Sequence, residues 1–418
     1  VSKLLAVLML IMYVFVILPT ILWLGAGAVN NLTGLDLVLS MILLGLLSLA
    51  YSLYGGLKAV AFTDIIQVSL LIFAGLCVSY VGLNAISDGS GAWEGFMILQ
   101  SEFPEKFDAL LSYVPKEQDP EAYGNYVKLP GIWVLIGGMW IAHFYYWGTN
   151  QYITQRALGA KNLEEAQKGL LFTGLLKLLV PLIIILPGVI GFYYYGDVFY
   201  DNQDMIYPEL IKKVLPNSFI GIFAAIVMGA VLSTFNSVLN SAATIFSIDI
   251  FKRHINPNIN DAHLVKTGKI TSAFLAIFAI CVAPLVGNAP DGLYQLLQQL
   301  NGIFFIPVAS IILAGFFLPK ISALAAKVAL LTGLAFYITC TFILNVNLHF
   351  VHVWGIEFIL NMIVMILISY NFPDDKEFKI KDLQIVEMNG WKYTKVFSSF
   401  LLFMTLLVYI LLGNFNNY

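Results

Sequence analysis

Lys177 is the only side chain ionised at neutral pH in an apolar stretch that covers residues 170–195. The stretch is long enough to cross a lipid bilayer, where a charged side chain costs roughly 2.5–3.5 kcal/mol. Pro181 has no backbone N–H, so the carbonyl of Lys177 loses its helical partner. A lysine can snorkel to the interface, but Lys177 lies about ten residues, roughly 15 Å, from the basic end of its segment. The position therefore favours a polar cavity or ligand.

Polar and aromatic side chains recur at spacings of three and four in the segment 129–153, at Trp140, His143, Trp147 and Asn150. This spacing places them on one face of a helix, which Tyr146 flanks. Aromatic rings combined with imidazole and amide groups suit a ligand that has both apolar and hydroxyl surfaces, such as a sugar ring. The alternative is an aromatic belt at the membrane interface, an interpretation that fits Tyr145 and Tyr152.

Small residues, most of them with hydroxyl groups, form a stripe on the segment 217–247, at Ala230, Ser233, Thr234, Ser237 and Ser241. Hydroxyl and carbonyl oxygens bind hard cations such as Na⁺. Small residues also let membrane helices pack closely, and the stripe alone does not decide between these roles. Asp64, near the end of another segment, is either a partner of a helix N-terminus or a position that a departing cation visits.

Amide side chains cluster in the segment 291–318, at Gln295, Gln298, Gln299 and Asn301. They lie next to Gly302 and precede Pro307, a combination that predicts a break in the helix. Broken membrane helices form the substrate sites of many transporters. Exposure of the glutamines at the membrane surface is the alternative.

The elements that must position these residues are membrane helices. The chain has 418 residues, of which 59% are hydrophobic and 11% charged, whereas soluble domains carry about 25% charged residues. Eleven apolar segments are long enough to span a bilayer, at about 4–29, 35–54, 59–86, 129–153, 168–196, 217–247, 267–288, 291–318, 321–346, 350–371 and 393–415. The three cysteines lie in apolar segments, so the sequence predicts no disulfide framework and no zinc site. No soluble catalytic domain and no basic patch for nucleic acid is visible.

The distribution of positive charge supports eleven crossings. Alternate loops then share one side of the membrane, and sixteen of the 22 Lys and Arg residues fall on one side, with five on the other and Lys177 on neither. Because positive residues concentrate in cytoplasmic loops, Val1 and the loops 252–266 and 372–392 are predicted to be cytoplasmic. The loops 87–128 and 197–216 are predicted to lie outside, together with Tyr418.

Five ordered blocks resemble the sodium:solute symporter family, and within it the sodium/sugar cotransporter branch. They are YGGLKAVAFTDIIQV (54–68), GIWVLIGGMWIAHFYYWGTNQYITQRALGAK (131–161), EAQKGLLFTGLLKLLVP (165–181), AAIVMGAVLSTFNSVLNSAATIFSIDIFK (224–252) and LYQLLQQLNGIF (293–304). The resemblance implies an all-α polytopic membrane protein with a LeuT-like, inverted-repeat core of ten helices. Within a single transmembrane domain 1–418, residues 1–318 look like core helices three to ten, and 319–418 like extra peripheral helices. The chain is therefore expected to be a fragment that lacks the N-terminal helices.

The resemblance also implies roles for individual residues. Tyr146 matches the aromatic residue that stacks on the sugar, with Trp147 beside it. Lys177 and Gln298 match residues that hydrogen-bond sugar hydroxyls from opposing helices. The implied sodium ligands are the carbonyl of Ala230 and the hydroxyls of Ser233 and Thr234, and Asp64 matches an acidic residue on the sodium exit path. His143 stands where galactose-type relatives carry an amide, so the particular sugar or polyol stays open.

We therefore expect a multi-pass protein of the cell (inner or plasma) membrane that couples Na⁺ to symport of a hexose or inositol by alternating access. A symporter for a carboxylate or amino acid is one alternative, because Lys177 could pair with a carboxylate. A transporter-like membrane sensor module is another. An intramembrane enzyme is disfavoured, since no nucleophile–base pair or metal constellation lies at membrane depth and only His143 of the five histidines is deep. The expected partners are the substrate, Na⁺ and the lipid bilayer, and not nucleic acid.

Overall fold

The computed structural model describes the backbone of residues 1–128, 131–287, 293–318, 320–374 and 387–412, and their side chains except 56–59, 121, 128, 200–202 and 293–295. The described residues form helices and connecting loops without strands. Eleven helical stretches among them are long and apolar enough to cross a membrane. All eleven overlap the segments predicted from hydropathy, so the expected span count is confirmed for this part of the chain.

These membrane spans are labelled in chain order. They are α1 Ser2–Thr33, α2 Leu37–Gly55, α3 Val60–Ile86, α4 Ala122–Thr149, α5 Leu163–Phe199, α6 Asn217–Ile255, α7 Asp261–Val286, α8 Leu296–Phe317, α9 Ala323–Ile343, α10 Phe350–Asn371 and α11 Thr394–Leu412. Shorter helices lie between the spans, at Ala92–Glu102, Gln151–Leu158 and Ile206–Val214.

The spans α2 and α3 belong to one continuous run of helical backbone, Leu37–Ile86. Tyr51 and Thr63 would be about 18 Å apart along a straight helix, yet their hydroxyl groups share a hydrogen bond. The run therefore bends sharply between them. The turn predicted at residues 54–58 is thus present as a bend in helical backbone. The bent run packs against α6 and α7.

The largest group of buried apolar side chains joins α1, α4, α6, α8 and α10. Its bulkiest members are fully buried, among them Tyr13, Tyr145, Phe235 and Trp354. Such close packing fixes the relative positions of these helices, because a densely packed core leaves little free volume into which a side chain could move. By contrast, no residue of α11 is buried, and this span packs along the first half of α5.

The helix that contains α8 is continuous from Leu293 to Phe317, so the break predicted around Gly302 and Pro307 is absent. A Cβ at Gly302 would lie 2.2 Å from Nε1 of Trp354 and 2.7 Å from the hydroxyl oxygen of Tyr337. The glycine therefore serves the close approach of α9 and α10 to α8 rather than a break. Membrane helices tolerate a proline inside them when neighbouring groups re-satisfy the freed backbone.

Candidate functional site

Lys177 is the last residue of a regular helix that begins at Leu163. A wide helical turn follows, beginning at Pro181. The regular helix is therefore interrupted next to the proline, whose missing N–H leaves the carbonyl of Lys177 without its helical partner. Lys177 is exposed in the structure, and its charge at a helix C-terminus is favoured by the helix dipole. Its Nζ lies 5.0 Å from the centroid of the Trp147 ring, a cation–π geometry. Among the described residues, Lys177 forms no ion pair with a carboxylate.

Two of the side chains predicted on α4, Tyr146 and Trp147, form one group with Lys177, whereas the Trp140 ring packs against Phe358 of α10. The rings of Tyr146 and Trp147 meet edge to face with centroids 5.2 Å apart, and His143 lies one turn before Trp147 on α4. His143 and Trp147 are exposed, and Tyr146 is half-buried. The group therefore lines an open surface that has aromatic faces, an imidazole and a cationic donor, which suits a ligand with both hydroxyl and apolar surfaces.

The end of α4 is held by buried polar contacts. The wide turn Tyr145–Thr149 stops at Asn150, whose backbone is extended, and the short helix Gln151–Leu158 begins directly after it. Asn150 is fully buried, and its Oδ1 accepts a 2.5 Å hydrogen bond from the hydroxyl of Tyr13 on α1. Asn150 thus anchors the end of the helix, in contrast to the ligand-facing position that its spacing predicts.

Tyr145 and Tyr152, which fit an interfacial belt by sequence, are buried core residues. The ring of Tyr145 stacks on Phe305 of α8 at a centroid distance of 4.5 Å. Tyr152 packs edge to face against Tyr13 at 5.6 Å and against Tyr146 at 6.0 Å. The belt interpretation is wrong for these two positions, because α8 covers Tyr145 and α1 covers Tyr152.

Gln298 lies on α8 and is half-buried. The helix packs against both segments of α4 that carry the aromatic group, Trp140–Phe144 and Tyr145–Thr149. The structure therefore brings His143, Tyr146, Trp147 and Lys177 into one region. Gln298 lies on the neighbouring helix, α8, which packs against α4 there.

The predicted sodium ligands occupy neighbouring turns of α6. The hydroxyl of Thr234 donates a 2.9 Å hydrogen bond to the carbonyl of Ala230, and the hydroxyl of Ser233 donates to Oδ1 of Asp64 on α3. Asp64 therefore lies directly against the predicted cation site rather than at a distance from it. Two hydroxyls, one carbonyl and one carboxylate form a set of oxygens that suits a hard cation.

Arg156, on the short helix after α4, completes this group of side chains. Its Nε and Nη2 donate to Oδ2 of Asp64 at 2.9 and 2.6 Å, and Nη2 also lies 2.5 Å from Oγ of Ser237. The Asp64 side chain is only 14% exposed. Sequence reasoning counted Arg156 only among the cytoplasmic positive charges, because the pairing partners are 92 positions apart.

No group of three or more His, Cys, Asp or Glu side chains in the described ranges could hold a metal ion. The clustered groups are instead hydroxyls, carbonyls, one ion pair and aromatic rings. Groups of these types suit the binding of alkali cations and polar organic solutes.

Comparison with known proteins places this chain in a family. The family model of the sodium:solute symporters matches residues 1–333. The uncharacterized symporter YidK of Escherichia coli is 40% identical over 411 residues, which cover 96% of this chain and 69% of that protein. The sodium/glucose cotransporter of Vibrio parahaemolyticus is 35% identical over 350 residues, which cover 80% and 63%. The human sodium/myo-inositol cotransporter 2 is 29% identical over 349 residues, which cover 79% and 51%.

This chain spans between 51% and 69% of the length of these three relatives. A solved structure, the substrate-bound outward-open state of a Na⁺-coupled sialic acid symporter, matches with a TM-score of 0.72 at 22% identity and covers 90% of this chain and 76% of that one. The match confirms the predicted LeuT-like fold of a multi-pass membrane protein. The family consists of Na⁺-coupled transporters rather than enzymes. By its family-model match and by its identity to these relatives, the chain belongs to the sodium:solute symporter family.

Proposed function

We propose that the protein couples the inward movement of Na⁺ to the symport of a sugar or polyol, such as a hexose or inositol, by alternating access. The observation that carries this proposal is the open group of Tyr146, Trp147 and Lys177, with His143 one turn away on α4. Relatives described as sodium/glucose and sodium/myo-inositol cotransporters support it.

The aromatic group supplies the substrate side of this mechanism. Tyr146 and Trp147 offer apolar faces on which a sugar ring can stack, and Lys177 and Gln298 offer hydrogen bonds to its hydroxyls. Hydrogen bonds that involve a charged group contribute about 1.5–3 kcal/mol each. Lys177→Gln should therefore raise the half-saturating substrate concentration by roughly 10- to 100-fold, measured as uptake into proteoliposomes.

The carbonyl of Ala230 and the hydroxyls of Ser233 and Thr234 supply the sodium side, and Asp64 receives the ion as it leaves. One Na⁺ that crosses 100 mV contributes roughly 2.3 kcal/mol, which sustains about a fifty-fold substrate gradient. Coupling requires that Na⁺ bind one of the two alternating states more tightly than the other.

The sodium assignment is tested with the double substitution Ser233→Ala and Thr234→Ala in the complete native protein. We expect Na⁺-dependent uptake to be lost, because two of the ligand oxygens disappear. Thr405→Ala on α11 is the control, since its hydroxyl makes the same kind of bond to the carbonyl four residues earlier, at 2.9 Å. Uptake by the double variant with unchanged Na⁺ dependence would show that the ion binds elsewhere.

A sugar that bears a carboxylate is the second candidate substrate. Lys177 has no ion-pair partner within the described ranges, so a substrate carboxylate could pair with it. Competition of glucose, inositol, a sialic acid and proline against a labelled sugar separates the candidates. Inhibition by neutral hexoses or inositol supports the first candidate, and inhibition by the sialic acid alone supports the second.

A further inference from the structure

Glu357 is a carboxylic acid in the middle of the packed helices, far along the chain from the proposed transport site. It lies on α10, seven residues after Phe350, and its side chain is 0% exposed. Neither carboxyl oxygen has a hydrogen-bond partner of good geometry within the described part of the chain. None of the ion pairs found there includes it.

The surroundings of Glu357 are tightly packed and contain further unsatisfied acceptors. A Cβ at Gly333 of α9 would lie 2.8 Å from Oε1 of Glu357 and 2.6 Å from Oδ1 of Asn361. Nδ2 of Asn361, one turn further along α10, lies 2.7 Å from the same position, and neither Nδ2 nor Oδ1 of Asn361 has a hydrogen-bond partner among the described residues. Oδ1 of the buried Asn301 on α8 also lacks one. Nε1 of Trp354, about one turn earlier on α10, is a further buried polar atom without a partner in the described structure. The donors in this cluster are neutral, so none of them compensates a negative charge on Glu357.

Among the residues that the structure describes, no positively charged side chain pairs with Glu357. Tyr337 of α9 is the titratable side chain that faces Glu357, and it is neutral at physiological pH. Other titratable side chains on the helices packed here contribute no hydrogen bond or ion pair to Glu357. They are Lys327, Cys340, His143, Tyr145, His349 and His352. An ionised carboxylate that is buried without a partner is strongly unfavourable, so such a group neutralises or binds a cation.

We propose that Glu357 is an intramembrane proton-binding site that is occupied when α8, α9 and α10 are packed as described. A proton adds no volume, whereas the direct contact of Gly333 with Glu357 and Asn361 leaves no room for a hydrated metal ion. Protonation also turns one carboxyl oxygen into a donor. That donor can satisfy Oδ1 of Asn361, which has no donor in the described structure.

Protonation of Glu357 affects α8, the helix that carries Gln298. Asn301 and Gly302 lie about one turn after Gln298 on α8, and the hydroxyl of Tyr337 donates a 3.1 Å hydrogen bond to the backbone carbonyl of Gln299. Loss of the proton would leave a charge between the three helices and loosen their packing. The complete protein should therefore lose stability as the pH rises, because its packed state binds a proton that the unpacked state releases.

Infrared titration of the complete native protein in detergent micelles tests the site directly. A carboxylic acid has a carbonyl stretch that a carboxylate lacks, and we expect this band at neutral pH in the native protein and its loss in Glu357→Gln. Glu357→Asp should keep a shifted band, so the assignment does not depend on one variant. Glu94→Gln, which changes an exposed carboxylate, should leave the band unchanged.

Thermal unfolding across the same pH range gives a second readout that requires no transport. We expect the alkaline loss of stability in the native protein to be smaller in Glu357→Gln. A band that is unchanged in Glu357→Gln at neutral pH would overturn the proposal, because Glu357 would then be ionised. A band that appears only when Na⁺ is removed would overturn it as well, since the occupant would be Na⁺. A failure of the sugar or sodium assignments changes neither readout.

Discussion

Arg156→Gln tests whether Arg156 competes with Na⁺ for Asp64. In the structure, two guanidinium nitrogens lie on one carboxylate oxygen of Asp64, at 2.9 and 2.6 Å. A sodium ion that reaches Asp64 has to displace these contacts. Removal of the competitor should therefore strengthen Na⁺ binding, although it deletes a favourable ion pair from the protein.

The expected magnitude follows from the burial of the pair. The side chains of Arg156 and Asp64 are 33% and 14% exposed, so the pair lies between two limits. Exposed pairs contribute up to about 1 kcal/mol, whereas disruption of a buried pair costs about 3–5 kcal/mol. A value of about 1.5–2 kcal/mol corresponds to a decrease of roughly 10- to 30-fold in the half-saturating Na⁺ concentration.

The assay is Na⁺-activated uptake in proteoliposomes that contain the complete native protein, together with equilibrium Na⁺ binding in detergent. Lys161→Gln is the matched control, because it removes an exposed positive charge that has no ion pair in the described structure. Asp64→Asn should weaken Na⁺ binding and not strengthen it, since it removes the carboxylate itself. If the folded Arg156→Gln protein keeps the native half-saturating Na⁺ concentration, the competition argument is refuted.

Two further predictions concern stability. The hydrogen bond from Asn31 to Glu209, at 2.8 Å, holds the pKa of Glu209 below its usual value. The stabilisation by ionised Glu209 is therefore present above its unfolded-state pKa, and it is lost as the pH falls through the folded-state pKa. The melting temperature of Glu209→Gln should therefore depend less on pH, on the acid side, than that of the native protein. Gly138→Ala would place a Cβ 2.1 Å from the carbonyl oxygen of Val351. This overpacking should destabilise the protein by about 1–3 kcal/mol in thermal unfolding, whereas Gly169→Ala, where a Cβ meets nothing within 4 Å, should not.

The membrane spans and the types of side chain in the proposed substrate site could be predicted from sequence, because both depend on local composition. Lys177, an isolated charge in an apolar segment, and Trp147, on the predicted face of α4, lie together in the structure. The partners of Asp64 could not be predicted, since they are set by the packing of distant helices. The absence of a break at Gly302 also depends on packing, because a glycine can serve either a bend or a close contact.

The sequence contains a signal for Glu357 as well. Glu357 is an ionisable residue inside an apolar segment, which is the same signal that singled out Lys177. The prediction that Asn150 faces a ligand failed for a different reason. Helical spacing assumes that a helix continues, but α4 ends at Asn150, so the periodicity no longer gives the direction of that side chain.

The ending of α4 at Asn150 has a mechanical consequence. Tyr146, in the proposed substrate site, and Arg156, beside the proposed sodium site, lie ten residues apart on one stretch of chain. The extended backbone of Asn150 separates their two rigid helical arms, and Tyr13 fixes this point to α1. Asn150 therefore has the geometry of a fixed pivot between two helices. A tilt of one helix about it changes the orientation of the other, so the two proposed ligands can influence each other through a short piece of backbone without a long relay of side chains.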